Sequence, residues 1–410
     1  MKPTLFLLAA AILCACGNKA SNAPQQDPKP TADGKLPPVE TQDRVTRYKP
    51  AFEGQTRIAG VRTKTPYAVK AISTNLAKPW AVAALPDGRL LVTEKQGRMR
   101  IVTTAGDLGA PLEGVPAVDD AGQGGLLDVA PDPDFATNRT IYWTFSEPRD
   151  KGNHTSVAKG KLSADERRLE NVSVIFRALP VYDGDKHYGS RIAFDSSGNL
   201  YVSTGERSDM ETRPQAQYLN SGLGKIFRIS REGKPVAGNP FMDQKDAMPE
   251  IWTYGHRNVQ GLAIHPATGD LWNSEMGPKG GDEINRIAAG KNYGWPTITY
   301  GVEYSGQTIG EGITQKAGME QPVYYWDPVL SPSGMTFHSG NNMPEWKNNL
   351  FIGGLSSRHL ARIVIEGDKV TGEERLMVDE GQRIRDVAEG RDGALYVVTD
   401  EGRLYRIAAK

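Results

Sequence analysis

One phrase recurs six times in this chain, and that repetition limits the possible fold more than any other feature. It reads PDGRLLVTE from Pro86, TNRTIYWTFSE from Thr137, SSGNLYVSTGE from Ser196, ATGDLWNSE from Ala267, WKNNLFIGG from Trp346 and RDGALYVVTDE from Arg391. Each copy is a polar turn carrying Gly or Asn, then a short β-rich run with apolar alternation that ends near a small or acidic residue. Aligned on Leu90, Ile141, Leu200, Leu271, Leu350 and Leu395, the copies mostly lie about one four-stranded blade apart. The pattern predicts an all-β chain, a six-bladed β-propeller of four-stranded antiparallel blades. Residues 67–72 precede the first copy and have no blade of their own, so they are expected to complete the last blade and close the ring. Helical periodicity is weak, and the charged run from Ser163 to Glu170 reads as a solvated turn.

The amino terminus is of another kind. Lys2, an apolar run from Leu5 to Leu13 and the sequence Leu13-Cys14-Ala15-Cys16-Gly17 form a signal peptide too short to span a bilayer. It resembles a bacterial lipoprotein signal, with Leu13 three positions before Cys16 and Ala15 just before it. The resemblance implies loss of residues 1–15 and lipidation of Cys16. Gly17 in place of Asp implies a protein lipid-anchored in the cell envelope, at the outer membrane and facing the periplasm. Cys14 would leave with the signal; these are the only two cysteines, so the exported domain has no disulfide. Residues 17–50 are polar with almost no apolar side chains and read as a disordered tether between lipid and a propeller domain of residues 51–410. With 49 basic and 49 acidic residues, the chain gives no reason to expect a nucleic-acid partner, and the membrane is met only through the lipid.

Between Glu250 and Pro296, Gly, Asn, Arg and carboxylates are too dense for a helix. Gly277-Pro278 exposes two carbonyl oxygens on a bent backbone, and Asp282-Glu283 adds two carboxylates, hard oxygen donors that suit Ca²⁺. Alone, such a stretch would be an ordinary Gly-rich turn with solvated acids. It is not alone. Gly122-Gln123-Gly124-Gly125, the segment from His187 to Arg191, Gly205-Glu206-Arg207, the segment from Gly255 to Gly261, Gly353 to Ser356 and Arg383 to Asp386 all fall at expected blade-strand ends. In a propeller such ends converge on the central channel. Arg383 and Arg385, at alternate positions of a strand, point to the same side and suit a common anion, although most arginines form surface ion pairs.

Taken in order, GQGGLLD with PDPDF, HYGSRIAFD, YGHRNVQGLA, GPKGGDEIN with NYGWP, and RIRDV resemble the quinoprotein sugar dehydrogenases of the glucose/sorbosone dehydrogenase family, from about Tyr67 to Ile407. The resemblance implies pyrroloquinoline quinone (PQQ) and Ca²⁺ as cofactors, and oxidation of aldoses at the anomeric carbon to lactones. PQQ carries three carboxylates, and Arg offers a planar fork for them, so Arg257, Arg383 and Arg385 are the candidate cations. Gln123 and Asn258 supply amides for quinone or sugar oxygens. The chemistry needs a base; among six histidines His187 is the choice, with Glu206 orienting it, an acid that the soluble glucose dehydrogenase relatives replace by Asp and the aldose dehydrogenases carry as Gly-Glu-Arg, while His256 would brace its loop. The carbonyls of Gly277 and Pro278 would hold Ca²⁺ beside the quinone, and Asp282, Glu283 and Tyr293 match a second, structural Ca²⁺ site. One departure stands out: where many relatives place a Lys, this chain reads Gly354-Leu355-Ser356-Ser357-Arg358. Either Arg358 reaches in, or Ser356 leaves the quinone one cation short. A calcium-dependent propeller lactonase and a non-catalytic binding propeller are the rival readings; the electron acceptor is not indicated.

Overall fold

The computed structural model describes residues 31 and 34–410; the signal peptide and Cys16 lie outside them. Six antiparallel sheets form the blades of a propeller. Their first strands, Pro79–Ala84, Leu126–Pro131, Ile192–Phe194, Val259–Ile264, Pro332–Phe337 and Ile384–Glu389, pack side by side in a closed ring around the axis. The repeated phrase forms the second strand of every blade: Leu90–Glu94, Thr140–Arg149, Leu200–Ser203, Leu271–Glu275, Leu350–Gly354 and Leu395–Thr399.

The turn that opens each copy has one backbone requirement. The residue two before the aligned apolar position has a positive φ in all six: Gly88 (91°), Arg139 (55°), Gly198 (77°), Gly269 (75°), Asn348 (61°) and Gly393 (73°). Four copies meet it with Gly and one with Asn, residues that tolerate the left-handed region. Beyond the turn the second strands are buried on both faces, because each blade is sandwiched between two neighbours. Leu90 and Val92 pack with Tyr396 and Val398 of the last blade, whereas Leu91 on the opposite face packs with Leu127 and Trp143 of the next.

The ring closes as expected. Strand Tyr67–Ser73 pairs antiparallel with Leu404–Ala409, with Val69 opposite Ile407 and Tyr67 opposite Ala409. The segment from Ser163 to Arg168 is a turn between two strands, and the one α-helix among the described residues is Phe135–Asn138. Blade one has three regular strands. Its outer edge is followed by residues 108–113, where Gly109 N–H donates to the Ile101 carbonyl and Leu112 N–H to that of Met99. Pro111 lies between them and has no N–H, so no regular fourth strand forms.

The tether expected over residues 16–50 needs correction where it is described. Leu36–Pro38 pairs with Ala59–Gly60, which joins the outer strand of blade five, so that sheet has six strands. Val45 N–H and Thr46, through its N–H and hydroxyl, donate to the Asp327 carboxylate, and Glu40 pairs with Arg375. This strap is held mainly by polar bonds to the blades, with Ile58 alone of its described residues packed against the core beside blade five, so its composition resembles that of a disordered segment.

Candidate active site

A cavity of about 680 Å³ opens at one end of the axis, within the range of small-molecule sites. It is lined by residues from separate blades, among them Gln123, His187, Arg257, Gly277, Pro278, Asp282, Ser356, Arg383 and Arg385. Segments far apart in sequence therefore meet at one site, as the strand-end rule predicts.

His187 is 5 % exposed and sits at φ 48°, a strained conformation for a residue with a side chain. Its N–H donates to Gln123 Oε1 at 2.9 Å, which fixes the loop. Nδ1 lies 2.6 Å from Glu206 Oε1. A carboxylate only accepts, so Nδ1 carries the proton and Nε2 keeps its lone pair for the cavity. Burial, then the positive charge of Arg257, push the His187 pKa down to about 4, against the pull of Glu206. The imidazole is thus neutral at physiological pH. Arg207, next to Glu206 and fully buried, donates to the carbonyls of Lys186 and Gly184 and lies 4.1 Å from the Tyr188 ring, bracing the His187 loop from below.

Arg257 donates to the Gly277 carbonyl at 2.6 Å and the Met276 carbonyl at 3.1 Å, while its buried Nε has no partner. The arginine and the Gly277-Pro278 turn are therefore one unit. A Cβ at Gly277 would lie 2.2 Å from the Gly281 carbonyl oxygen, so no larger residue fits. Asp282 secures the turn by accepting from Gly277 N–H at 2.8 Å and Ser331 N–H at 2.6 Å. Arg383 and Arg385 do face the same way, and both reach Asp400, at 2.9 and 2.7 Å. Lys78 and Lys95 also line the cavity.

Two expectations change. Asp282 was grouped with Glu283 and Tyr293 in one metal site, but adjacent strand residues face opposite sides. Asp282 lines the main cavity, whereas Glu283 and Tyr293 line a smaller one with Glu275. Asn258 does not line the main cavity; its Oδ1 accepts from Gly189 N–H at 3.1 Å and its amide reaches Met276 Sδ, so it ties two loops together. The open question at Ser356 also resolves. Ser356 lines the cavity with its hydroxyl 2.7 Å from that of Ser331, whereas Arg358 bonds the Gly381 carbonyl instead of reaching in. His256 braces its loop as expected, between Glu275 and Thr253 and stacked on Tyr293.

Several lining residues were not found from sequence. Asp400 is the last residue but one of the sixth copy of the repeat, and Lys95 follows the first, so both sat at a recognised signal. Gln260, inside the segment from Gly255 to Gly261, bonds the Gly189 carbonyl. Tyr304 comes from the long insertion before strand Tyr324–Trp326 and is 72 % exposed at the mouth; no local pattern marks it.

The donor sets fit the implied groups. Arg257 with an unpaired Nε, Lys78, Lys95 and the Arg383–Arg385 pair outnumber Asp282 and Asp400, leaving a cationic cavity suited to a polycarboxylate. Around the smaller cavity, burial and the charge of Glu275 push the Glu283 carboxyl well up, and the side-chain oxygens of Asn273 and Asn285 are buried without partners. Two acids and two unpartnered oxygens, with Arg257 as the single Lys or Arg among the described residues on the cavity wall, suit a hard cation. Among the described residues no group of three or more His, Cys, Asp or Glu side chains is arranged to hold a metal, so any such ion must draw on carbonyl and amide oxygens too.

A β-propeller with a cationic axial pocket and a buried His–Glu pair defines the class, and sequence comparison supplies the family. The chain belongs to the glucose/sorbosone dehydrogenase family, whose profile matches residues 76–406. It is accordingly a sugar dehydrogenase, an oxidoreductase with a small-molecule aldose as substrate. It is 43 % identical to aldose sugar dehydrogenase YliI of Escherichia coli K12 over 83 % of this chain and 93 % of that one. The apo form of the soluble aldose sugar dehydrogenase of E. coli superposes with a TM-score of 0.80 at 41 % identity, covering 84 % of this chain and 100 % of the other. The PQQ-bound form of the aldose sugar dehydrogenase of Streptomyces coelicolor gives 0.69 at 30 % identity, covering 85 % and 99 %.

Proposed function

We propose that this protein oxidises aldoses at the anomeric carbon to lactones, with PQQ and Ca²⁺ held in the axial cavity and His187 as general base. The observation that carries the reading is a neutral His187, anchored through Nδ1 to Glu206, facing a cavity walled by Arg257, Arg383 and Arg385. Arg257, Arg383, Arg385, Lys95 and Gln123 would hold the cofactor, and the Gly277 and Pro278 carbonyls the ion beside it. Each carbonyl oxygen has two lone pairs, so Gly277 can serve an ion while accepting from Arg257. PQQ would supply the hydride acceptor and Ca²⁺ the Lewis acid that polarises it. His187 Nε2 takes the proton of the C1 hydroxyl as the C1 hydrogen leaves, and Glu206 stabilises the resulting imidazolium and keeps the ring oriented.

A lactonase would instead need free carboxylates at the axis. Among the described residues none of the channel acids is free: Asp128 and Asp386 are paired with Arg191, Asp400 with Arg383 and Arg385, and Asp282 accepts from the Gly277 and Ser331 N–H groups. The test is aldose oxidation with an artificial electron acceptor by apo protein, before and after addition of PQQ with Ca²⁺. Turnover should appear only with both, and chelation during reconstitution should abolish it. Turnover without PQQ, or none with it, would overturn the reading.

We further propose that Cys16 is lipidated and holds the enzyme in the cell envelope, at the outer membrane. The signal sequence supports this, and the strap ending on blade five gives the anchor a fixed point of attachment. Labelled palmitate should be incorporated by the full chain and not by its Cys16→Ser variant; equal labelling of the two would remove the anchor.

A further inference from the structure

The axial channel holds a second cavity, of about 490 Å³, lined by Val82, Asp128, Arg191, Leu262, Met335 and Asp386 among others. In every blade the residues of the first cavity precede those of the second along the innermost strand or the loop that enters it. Trp80 comes before Val82, Gln123 before Asp128, His187 before Arg191, Gln260 before Leu262, Ser331 before Met335, and Arg385 before Asp386. The two cavities therefore follow one another down the axis.

Arg191 lies between them and reaches all six blades. It is held over the Trp80 ring of blade one at 4.2 Å. Nη1 pairs with Asp128 of blade two at 3.1 Å and with Asp386 of blade six at 3.0 Å. Nε donates to the Gln260 carbonyl of blade four at 2.7 Å, and Nη2 to the Arg385 carbonyl of blade six at 3.2 Å. Blade five contributes Gly334, where a Cβ would stand 1.6 Å from Asp386 Oδ1 and 2.7 Å from Arg191 Nη2; only the missing side chain leaves room. Arg191 itself enters blade three. The two acids extend the clamp, since Asp128 accepts from Ile192 N–H at 2.7 Å and Asp386 from Val82 N–H at 2.8 Å.

We propose that Arg191 is a positioning residue for the cofactor pocket, an axial pin that sets the pocket floor and separates it from the far end of the channel. Its backbone acceptors belong to Gln260 and Arg385, and its ring partner is Trp80; the side chains of all three line the cavity. A buried Asp–Arg–Asp cluster is a poor device for stability alone, because neutral replacements of such clusters often cost nothing. What such replacements lack is a planar five-donor fork that can hold several blades in one register.

The inference rests on the reading that this cavity binds PQQ, and the test separates the two. PQQ binding to apo protein is followed by quenching of tryptophan fluorescence, with the melting temperature measured alongside. Wild-type protein that binds no PQQ would defeat the cofactor reading itself. If wild type binds, the combined Asp128→Asn, Arg191→Met and Asp386→Asn variant, which leaves no uncompensated charge, should fold and yet bind PQQ about tenfold more weakly, the effect of losing one or two bonds to the pocket floor. Arg191→Lys keeps the charge and loses the fork, and should show the same loss of affinity while still melting cooperatively, at a lower temperature because buried acceptors lose their donors, so the test survives even if the triple variant fails to fold. Wild-type affinity in either folded variant would overturn the proposal.

Discussion

Replacing His187 with Ala is expected to lower kcat for aldose oxidation by about 10²–10⁴-fold in the PQQ- and Ca²⁺-loaded enzyme, the usual contribution of a positioned general base. Cofactor binding should survive, because the cationic walls at Arg257, Arg383 and Arg385 do not depend on the imidazole for their contacts. The pH dependence sharpens the test. The base works only when neutral, and burial with Arg257 holds the His187 pKa near 4, so kcat/KM of the wild type should stay level down to about pH 5 and fall below it. Glu206→Gln removes a charge that raises this pKa, so its acid limb should move lower still while kcat drops, because the developing imidazolium loses its partner. An acid limb near pH 6.5, where free imidazole titrates, would show that the base sits in water rather than in this pocket.

What could be read in the sequence was whatever had a local cause. The six copies of the repeat were visible because each must turn through a left-handed residue and then bury a strand on both faces, and those demands select Gly or Asn followed by apolar alternation. His187, Glu206, Arg257, Gln123, Arg383 and Arg385 were visible because they lie in Gly-rich strand ends, where a chain that only needed to pack would carry different residues. Hidden from sequence were relations made when strands and blades pack together. Asp400 binds Arg383 and Arg385 from the end of the neighbouring strand, and Lys95 reaches the pocket from blade one, although neither position looks unusual by itself. The same holds for Asn258, whose amide could have faced a ligand but is taken by Gly189 and Met276. The strap misled for the opposite reason: Thr46 and Glu40 are anchored by single polar partners more than 280 residues away, and polar composition does not reveal a distant partner.

A chain of residues 74–410 alone is expected not to fold as a cooperative monomer, whereas the same chain extended past Lys410 by a short Gly-containing turn and residues 67–73 should fold. Strand Tyr67–Ser73 pairs at six positions with Leu404–Ala409, and at about 1 kcal/mol per ladder bond its loss costs roughly 6 kcal/mol. That loss falls on a protein whose whole margin is of the order of 5–15 kcal/mol. It also strips cover from the last strand, where Leu404, Tyr405 and Ile407 are at most 1 % exposed, and leaves an open edge that invites aggregation. The geometry of the rescue is already present. Tyr67 sits opposite Ala409, and Lys410 N–H donates to the Pro66 carbonyl, so the two ends meet as a hairpin would. Near-UV circular dichroism and thermal unfolding of the two chains decide the matter. If the extended chain melts no better than the shorter one, closure of the ring by residues 67–73 is not what holds the propeller together, and the strap from Leu36 to Gly60 over blade five, absent from both chains, becomes the feature to restore next.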